Sequence, residues 1–276
     1  IHNALEQLKE TFGFEVTYLP VYADGTIHLE DLKKALRKDT ILVSMMLVNN
    51  ETGAINPIKE CAAYVHAYSR AVFHMDGVQG LGKIPISLHD VDMATFSAHK
   101  IYGLKGSAIL YKKRNIELLP LLSGGQQEQG LRAGTSNAPT NIVFAKTLRL
   151  ALEEQEKAYQ YVQELNIYLR REIENIEDMV INSPADASCF ILNFSDLKIG
   201  SEVMLNALNA KGFCVSAQST CSSKSKAISH VLLAMGLGEV RATHAIRVSL
   251  SHMTTKDEVE KFIKALKEIH HDYRTK

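Results

Sequence analysis

The sequence predicts an α/β protein in which a large, mainly parallel sheet is followed by a smaller α+β domain. Three observations support this fold class. In the first half of the chain, apolar runs typical of strands buried on both faces alternate with helical periodicity. A polar, glycine-rich segment then interrupts the pattern, and shorter helices and strands follow it. The length of 276 residues suits two such units, which we place at residues 1–140 and 141–276.

The first half of the chain provides the elements of the large sheet. Residues 1–13 predict an amphipathic helix, and the alternating apolar positions of FEVTYLPV predict a strand after it. HLEDLKKALR predicts a short second helix, and Pro57 suits the first turn of the next one. Continuous apolar runs, the form that strands take inside a parallel sheet, occur in TILVSMMLVNN, AVFHMDGVQ, MATFSAHK and GSAILYKK.

The second half of the chain begins after the glycine-rich segment SGGQQEQGLRAGTSN. Residues 140–176 predict one long helical stretch. The last helix begins near Thr255, where Glu258 stands three residues later and completes the pattern of a capping box. Between these two helices, the sequence predicts strands at SCFILNFSD, FCVSA and HAIRVSLS, and helices at GSEVMLNALNAKG and SHVLLAMGL.

Charge and cysteine content argue against several classes of protein. The formal net charge of +0 gives no electrostatic reason to expect a nucleic acid or an anionic membrane as the main partner. No apolar run is long enough for a membrane span, and no cysteine–histidine spacing matches a zinc site, so no metal is expected. Cys61, Cys189 and Cys214 lie in apolar runs and are interpreted as buried packing residues of a cytoplasmic protein with free thiols.

Polar side chains collect at the ends of the predicted strands of the first half. In an open α/β sheet, ligands bind beyond the carboxyl ends of the strands, so these side chains are expected to converge. A carboxylate, a lysine, hydroxyls and amides together suit pyridoxal phosphate, because a lysine bonds this cofactor and an acid pairs with its ring nitrogen. Taken alone, a lysine is usually a solvated surface charge. The converging residues are Asn49, Asn50, Glu51, Asp76, Gln79, Ser97, His99 and Lys100.

Five segments of the chain closely resemble the group I cysteine desulfurases, the NifS- and IscS-like enzymes of the aminotransferase class V family. They occur in the same order and with matching spacing: VNNETGAINPI, HMDGVQGLGKIPI, FSAHKIYGLKG, GGQQEQGLRAGTSN and IRVSLSHMTTKDEVE. The resemblance implies the fold of the fold-type I pyridoxal phosphate enzymes. It also implies a large domain that lacks about the first hundred residues of the family pattern, and a small C-terminal domain that carries a catalytic cysteine loop.

The resemblance assigns cofactor-binding roles to residues of the first half. It makes Lys100 the lysine that forms a Schiff base with pyridoxal phosphate, and it places Asp76 against the pyridine nitrogen. Gln79 is expected to hydrogen-bond the phenolic oxygen of the ring. Ser97 and His99 are expected to bind the phosphate.

Further roles that the resemblance implies concern the substrate and the partner subunit. Asn50 is expected near the ring oxygen and the substrate, and Arg247 is expected to clamp the substrate carboxylate with its guanidinium group. Family members are homodimers with shared sites, so Thr135 is expected to contact the phosphate of the partner subunit's cofactor.

The reaction that the resemblance implies uses L-cysteine as substrate. Lys100 moves the α-proton, His99 carries the proton of the substrate thiol, and the Cys221 thiolate attacks the substrate sulfur. The products are alanine and a persulfide on Cys221, whose sulfur passes to an acceptor protein of iron–sulfur cluster assembly or tRNA thiolation. Lys224 and Lys226, in the same loop, stabilise this thiolate, contact the acceptor protein, or simply form a solvated basic loop.

Other interpretations of the sequence stay open at this point. Cys221 can be read as a partly exposed cysteine in a serine-rich loop. A selenocysteine lyase or another class V lyase has the same residue pattern. A third interpretation is an inactive, truncated domain that only binds a sulfur-transfer partner; the intact set of Lys100, Asp76, Arg247 and Cys221 argues against it.

Overall fold

The computed structural model describes residues 1–217 and 228–274. In this part of the chain, the first half forms a four-stranded sheet with the order β1-β2-β3-β4. The first three strands are parallel, and the fourth runs antiparallel to the third. The α/β fold class with a mainly parallel sheet is therefore confirmed. The strands are β1 (Leu42–Met46), β2 (Val72–Asp76), β3 (Met93–Ser97) and β4 (Ala108–Lys112).

Three described helices of the first half precede the strands of this sheet or connect them in the sequence. They are α1 (His2–Phe12), α2 (Leu29–Ala35) and α3 (Ile58–Tyr68). Helix α3 links β1 to β2 and buries Ile58, Cys61, Ala62 and Val65 against the sheet, as the connection between parallel strands requires. Pro57 stands directly before α3 rather than inside its first turn.

The second half forms an antiparallel sheet with helices packed against it. The order of its four described strands is β5-β6-β8-β7. Every side chain of the central strand β6 is buried. The strands are β5 (Met179–Ile181), β6 (Ile191–Asp196), β7 (Ser216–Ala217) and β8 (Ala245–Ser249). The helices are α4 (Ala138–Glu153), α5 (Gln155–Glu174), α6 (Ser201–Ala210), α7 (His230–Ala234), α8 (Glu239–Thr243) and α9 (Lys256–Arg274).

Two helices, α4 and α5, occupy the range in which the sequence predicts one long helix. Glu154 separates them because its backbone, with φ −98° and ψ 0°, leaves the helical conformation. The two helices pack into different hydrophobic cores. Phe144 of α4 packs with the first sheet, whereas Leu169 and Ile173 of α5 pack with the second.

Three further sequence expectations differ from the structure. Residues 14–21 do not form a strand, because no backbone ladder pairs with them among the described residues. Instead, the Tyr18 hydroxyl folds back onto α1 and donates to Glu6 Oε1 at 2.6 Å. Cys214 is exposed rather than buried, since it lies in the connection between α6 and β7. The short elements β5 and α8 have no counterpart in the sequence prediction.

The other two cysteines named as packing residues are buried, as expected. Burial raises the pKa of the Cys61 thiol and of the Cys189 thiol to about 11. Both thiols therefore stay protonated at neutral pH and are poor nucleophiles. The described helices include none that is both long and apolar enough to cross a membrane.

The capping box at the start of α9 is confirmed. The Thr255 backbone N–H donates to Glu258 Oε2 at 2.7 Å, and the Glu258 N–H donates to Thr255 Oγ1 at 3.2 Å.

Near the other end of α9, His270 Nδ1 lies 2.6 Å from Oδ2 of Asp196, which ends β6. Asp196 Oδ1 also accepts from the backbone N–H groups of Lys198 and Ile199. One buried carboxylate thus joins α9 to the central strand of the second sheet.

We expect Asp196→Ala to lower the free energy of unfolding by about 3 kcal/mol, because it leaves the buried His270 imidazole without its partner. Urea denaturation measures this change. Asp196→Asn keeps an acceptor oxygen and should cost clearly less. Equal losses in the two variants would contradict the assigned role of the carboxylate.

Candidate active site

The turn at residues 49–53, which follows β1, places Asn50 at the carboxyl end of the first sheet. Asn49 Oδ1 accepts from the backbone N–H groups of Glu51 and Thr52 at 2.8 and 3.0 Å, which fixes the turn internally. The backbone carbonyl of Asn50 accepts from Nη1 of Arg247 at 2.9 Å. Arg247 lies on β8 of the second sheet. The turn therefore brings the carboxyl end of one sheet against the other.

Glu51 points away from the other strand-end residues, so its expected convergence with them is wrong. Its carboxylate is buried and accepts from the Ser229 hydroxyl at 2.6 Å, while its backbone carbonyl accepts from Asn193 Nδ2 at 3.2 Å. Burial raises the pKa of Glu51, and the Ser229 hydrogen bond opposes this effect only in part. Glu51 thus attaches the turn to the second sheet and to the start of α7, where Ser229 is the cap.

Lys100 lies in a tight turn that follows β3. Ala98–Ile101 form a single 3₁₀ turn, and Tyr102 follows it in the left-handed conformation with φ 66°. Gly103 N–H donates to the carbonyl of Ala98 at 2.8 Å. A Cβ atom at Gly103 would lie only 2.8 Å from the Cβ of Ala98, so only glycine fits there. This backbone fixes the position of His99 and Lys100.

A cavity of about 580 Å³ contains five of the predicted site residues. This volume is in the range of small-molecule and cofactor sites. The wall of the cavity comes from both halves of the chain and includes Phe190. The predicted residues in its lining are Asn50, Gln79, His99, Lys100 and Arg247.

The guanidinium of Arg247 is held in place while one of its donors stays available. Its Nη1 donates to the Asn50 carbonyl, and its Nη2 donates to Ser216 Oγ at 3.1 Å. Its Nε is buried without a hydrogen-bond partner among the described residues. A buried donor without a partner is costly to leave unpaired, so this side chain is suited to an incoming carboxylate.

Three of the residues expected to bind the cofactor lie outside this cavity. Ser97 and Thr135 line a second cavity of about 1210 Å³ beside β4. Asp76 ends β2 and stands opposite Thr95 of β3, which puts it on the same sheet face as Thr95 and Ser97. Its Oδ1 accepts from the Val78 N–H at 3.1 Å.

The proposed persulfide cysteine, Cys221, lies outside the described residues, as do Lys224 and Lys226. Within the described chain, Ala217 ends β7 beside Ile246 of β8, and Ser229 caps α7.

Sequence reasoning missed one further residue of the cavity, Lys83. Its Nζ donates to Gln79 Oε1 at 3.3 Å. Burial and the nearby charges of Lys100 and Arg247 lower the pKa of Lys83 to about 8. The signal that could have revealed it is its position four residues after Gln79, which suits contact between side chains on one face of a helical turn.

Comparisons with known proteins agree on one family. The model of the family described as aminotransferase class-V matches residues 1–262. "Cysteine desulfurase IscS" of Dictyoglomus turgidum is 41% identical over 280 residues, which cover 99% of this chain and 71% of that protein.

Solved structures show the same relationship. A structure named "NifS-like protein" matches with a TM-score of 0.90 and 37% identity over 98% of this chain and 72% of that chain. The NifS-like protein of Rickettsia africae matches with a TM-score of 0.87 and 29% identity, over 95% of this chain and 72% of that chain.

We expect Glu51→Gln to change how the stability of the protein depends on pH. At low pH, Glu51 is protonated in both the folded and the unfolded chain. As the pH rises through and above the ordinary carboxyl value of 4.5, the unfolded chain loses this proton first, so the wild-type protein loses stability relative to the glutamine variant. Chemical denaturation at a series of pH values measures the difference. A constant difference between pH 4 and 7 would show that the pKa is not raised.

Proposed function

The chain belongs to the aminotransferase class-V family, and from this membership and the cavity around Lys100 we propose that it is a pyridoxal phosphate-dependent cysteine desulfurase. It converts L-cysteine to L-alanine and passes the sulfur to an acceptor. One observation carries the proposal. The cavity joins Lys100 to Asn50, Gln79 and His99 from the first sheet and to Arg247 from the second.

The donor set fits pyridoxal phosphate. Within the cavity, Lys100 supplies the amine that bonds the cofactor, Gln79 an amide for the phenolic oxygen, and His99 an imidazole donor for the phosphate. In this proposal, two residues outside the cavity lining complete the set: Asp76 at the end of β2 for the pyridine nitrogen, and Ser97 at the end of β3 for the phosphate. Lys83, Lys100 and Arg247 line the cavity with a single carboxylate among its described residues, Glu154, which suits an anionic ligand.

Arg247 and Asn50 position the substrate. The guanidinium binds the carboxylate of L-cysteine, and its contacts with the Asn50 carbonyl and Ser216 Oγ fix its direction. Because the turn at residues 49–53 holds Arg247, the carboxylate is bound at a defined distance from Lys100. The fold itself therefore aligns the α-carbon of the substrate with Lys100.

Lys100 and His99 move the protons of the reaction. Pyridoxal phosphate, when bound, supplies an electron sink next to the α-carbon of the substrate. Lys100 Nζ removes the proton from this carbon, and His99 takes the proton of the substrate thiol.

Cys221 completes the reaction in this proposal. Its thiolate attacks the sulfur of L-cysteine, so a sulfur–sulfur bond forms on Cys221 while the carbon–sulfur bond of the substrate breaks. The β-carbon takes up a proton, the α-carbon regains the proton that Lys100 removed, and alanine leaves. The persulfide sulfur then passes to an acceptor protein, for which iron–sulfur cluster assembly and tRNA thiolation are the two candidate pathways.

The relatives favour this function over the alternatives. The relative from Dictyoglomus turgidum is named as a cysteine desulfurase, whereas a selenocysteine lyase or an inactive binding domain has no comparable support. The presence of the lysine, the arginine and the strand-end amides in one cavity also argues against a domain that only binds a partner.

We propose that the working enzyme is a cytoplasmic homodimer in which Thr135 contacts the phosphate in the partner subunit. The segment before Thr135 supports this arrangement because Leu119 and Leu121 are 97% and 95% exposed. Large apolar side chains that are almost fully exposed and close together are typical of a surface that another chain covers. The free thiols of the described cysteines agree with a reducing compartment.

We expect the purified protein to gain a visible absorbance band when pyridoxal phosphate is added, and L-cysteine to shift this band with release of alanine. Lys100→Ala should abolish the band because the amine that bonds the cofactor is lost. Lys59→Ala, at an exposed position of α3, is the matched control and should retain it. A band of unchanged strength in the Lys100 variant would contradict the proposed function.

We expect Arg247→Lys to raise the KM for L-cysteine by about tenfold or more and to change kcat less, because a point charge replaces a bidentate donor. Sulfide release under reducing conditions measures both constants. Ser216→Ala, which removes one supporting contact of Arg247, should raise KM by a smaller factor. An unchanged KM in the lysine variant would show that Arg247 does not bind the carboxylate.

A further inference from the structure

Lys83 and Gln79 lie in a short turn segment at residues 77–84, which follows β2 directly. Its backbone is held by successive hydrogen bonds, including Leu81 N–H to the Gly77 carbonyl and Ile84 N–H to the Gly80 carbonyl, both at 3.0 Å. The segment also packs closely against its neighbours. A Cβ atom at Gly80 would lie 2.7 Å from Leu47 Cδ2. The backbone that carries the two side chains is therefore rigid.

The contact between the two side chains determines which way the Gln79 amide faces. Lysine is only a donor, so the atom that lies 3.3 Å from Lys83 Nζ must be the amide oxygen Oε1. With its oxygen occupied, Gln79 keeps its NH₂ group for another acceptor. Gln79 is 8% exposed, and it lines the same cavity as Lys100.

We propose that Lys83 is a positioning residue that fixes the Gln79 amide so that its NH₂ group donates to the phenolic oxygen of pyridoxal phosphate. The inference rests on the proposed function, and it adds to that function a residue that the strand-end pattern does not contain. Lys83 acts through Gln79 and does not itself touch the reacting atoms.

The orientation of the Gln79 amide depends on the charge of Lys83, and the surroundings of Lys83 influence that charge. The Lys83 ammonium lies 5.8 Å from the centre of the Phe190 ring. The pKa of about 8 leaves Lys83 mostly protonated at neutral pH. Once it is neutral, the amine also accepts, and Gln79 is then free to turn either end toward it. The other titratable groups of the cavity lining are Lys100, Arg247, His99, Tyr102, Glu154 and His252.

A double-mutant cycle on cofactor binding tests the proposal without any need for turnover. The dissociation constant for pyridoxal phosphate is measured by absorbance titration in Lys83→Met, Gln79→Ala, the double variant and the wild type. We expect Lys83→Met to weaken binding by about tenfold in the wild type and by a clearly smaller factor when Gln79 is already alanine, where only the loss of a positive charge near the anionic cofactor remains. Lys83→Arg keeps a donor and should recover most of the affinity, and Lys59→Met is the control. Equal losses in both Gln79 backgrounds would overturn the proposal.

A second measurement separates this inference from the proposed function. In the protein without cofactor, the side-chain amide signal of Gln79 is identified by nuclear magnetic resonance from its loss in Gln79→Ala. We expect this signal to titrate near pH 8 in the wild type and not in Lys83→Met. Failure of the wild type to bind pyridoxal phosphate would refute the proposed function. A Gln79 signal that is the same in both proteins at every pH would instead refute the contact with Lys83.

Discussion

The contact between the turn at residues 49–53 and the second sheet is the constraint on which the site depends. The Asn50 carbonyl accepts from Arg247, the Glu51 carboxylate from Ser229, and the Gly53 carbonyl from the Ser188 N–H at 2.8 Å. These bonds join residues that are far apart in the sequence. Since Lys100 follows β3 of the first sheet and Arg247 lies on β8 of the second, the turn sets the position of the carboxylate-binding group relative to the base.

Gathering cations in a partly buried cavity has a cost for folding. Lys83, Lys100 and Arg247 share one cavity, and their mutual repulsion adds to the loss of hydration. A bound anion recovers part of this free energy because it binds the folded chain and not the unfolded one. The same arrangement therefore weakens the fold and strengthens binding, which is a common compromise at active sites.

The sequence predicts most of the first sheet because its strands are continuous apolar runs that end in polar residues, as in TILVSMMLVNN and AVFHMDGVQ. Five of the residues that it names, Asn50, Gln79, His99, Lys100 and Arg247, line the cavity around Lys100. It fails where the outcome depends on a distant partner. Glu51 reads as a strand-end ligand, yet its carboxylate accepts from Ser229, 178 residues away. Residues 14–21 have the periodicity of a strand but no neighbouring strand to pair with among the described residues. The role of Lys83 depends on its place in the cavity, which the sequence alone does not show.

The break between α4 and α5 links the shape of the cavity to the direction of two helices. Glu154 is the joint between them, and it also belongs to the lining of the cavity. Helix α4 packs with the first core and α5 with the second, so the backbone at Glu154 sets the angle between the two helices. Leu150 of α4 and Ala158 of α5 line the cavity on either side of Glu154, and this angle therefore also determines how far apart these two wall residues stand.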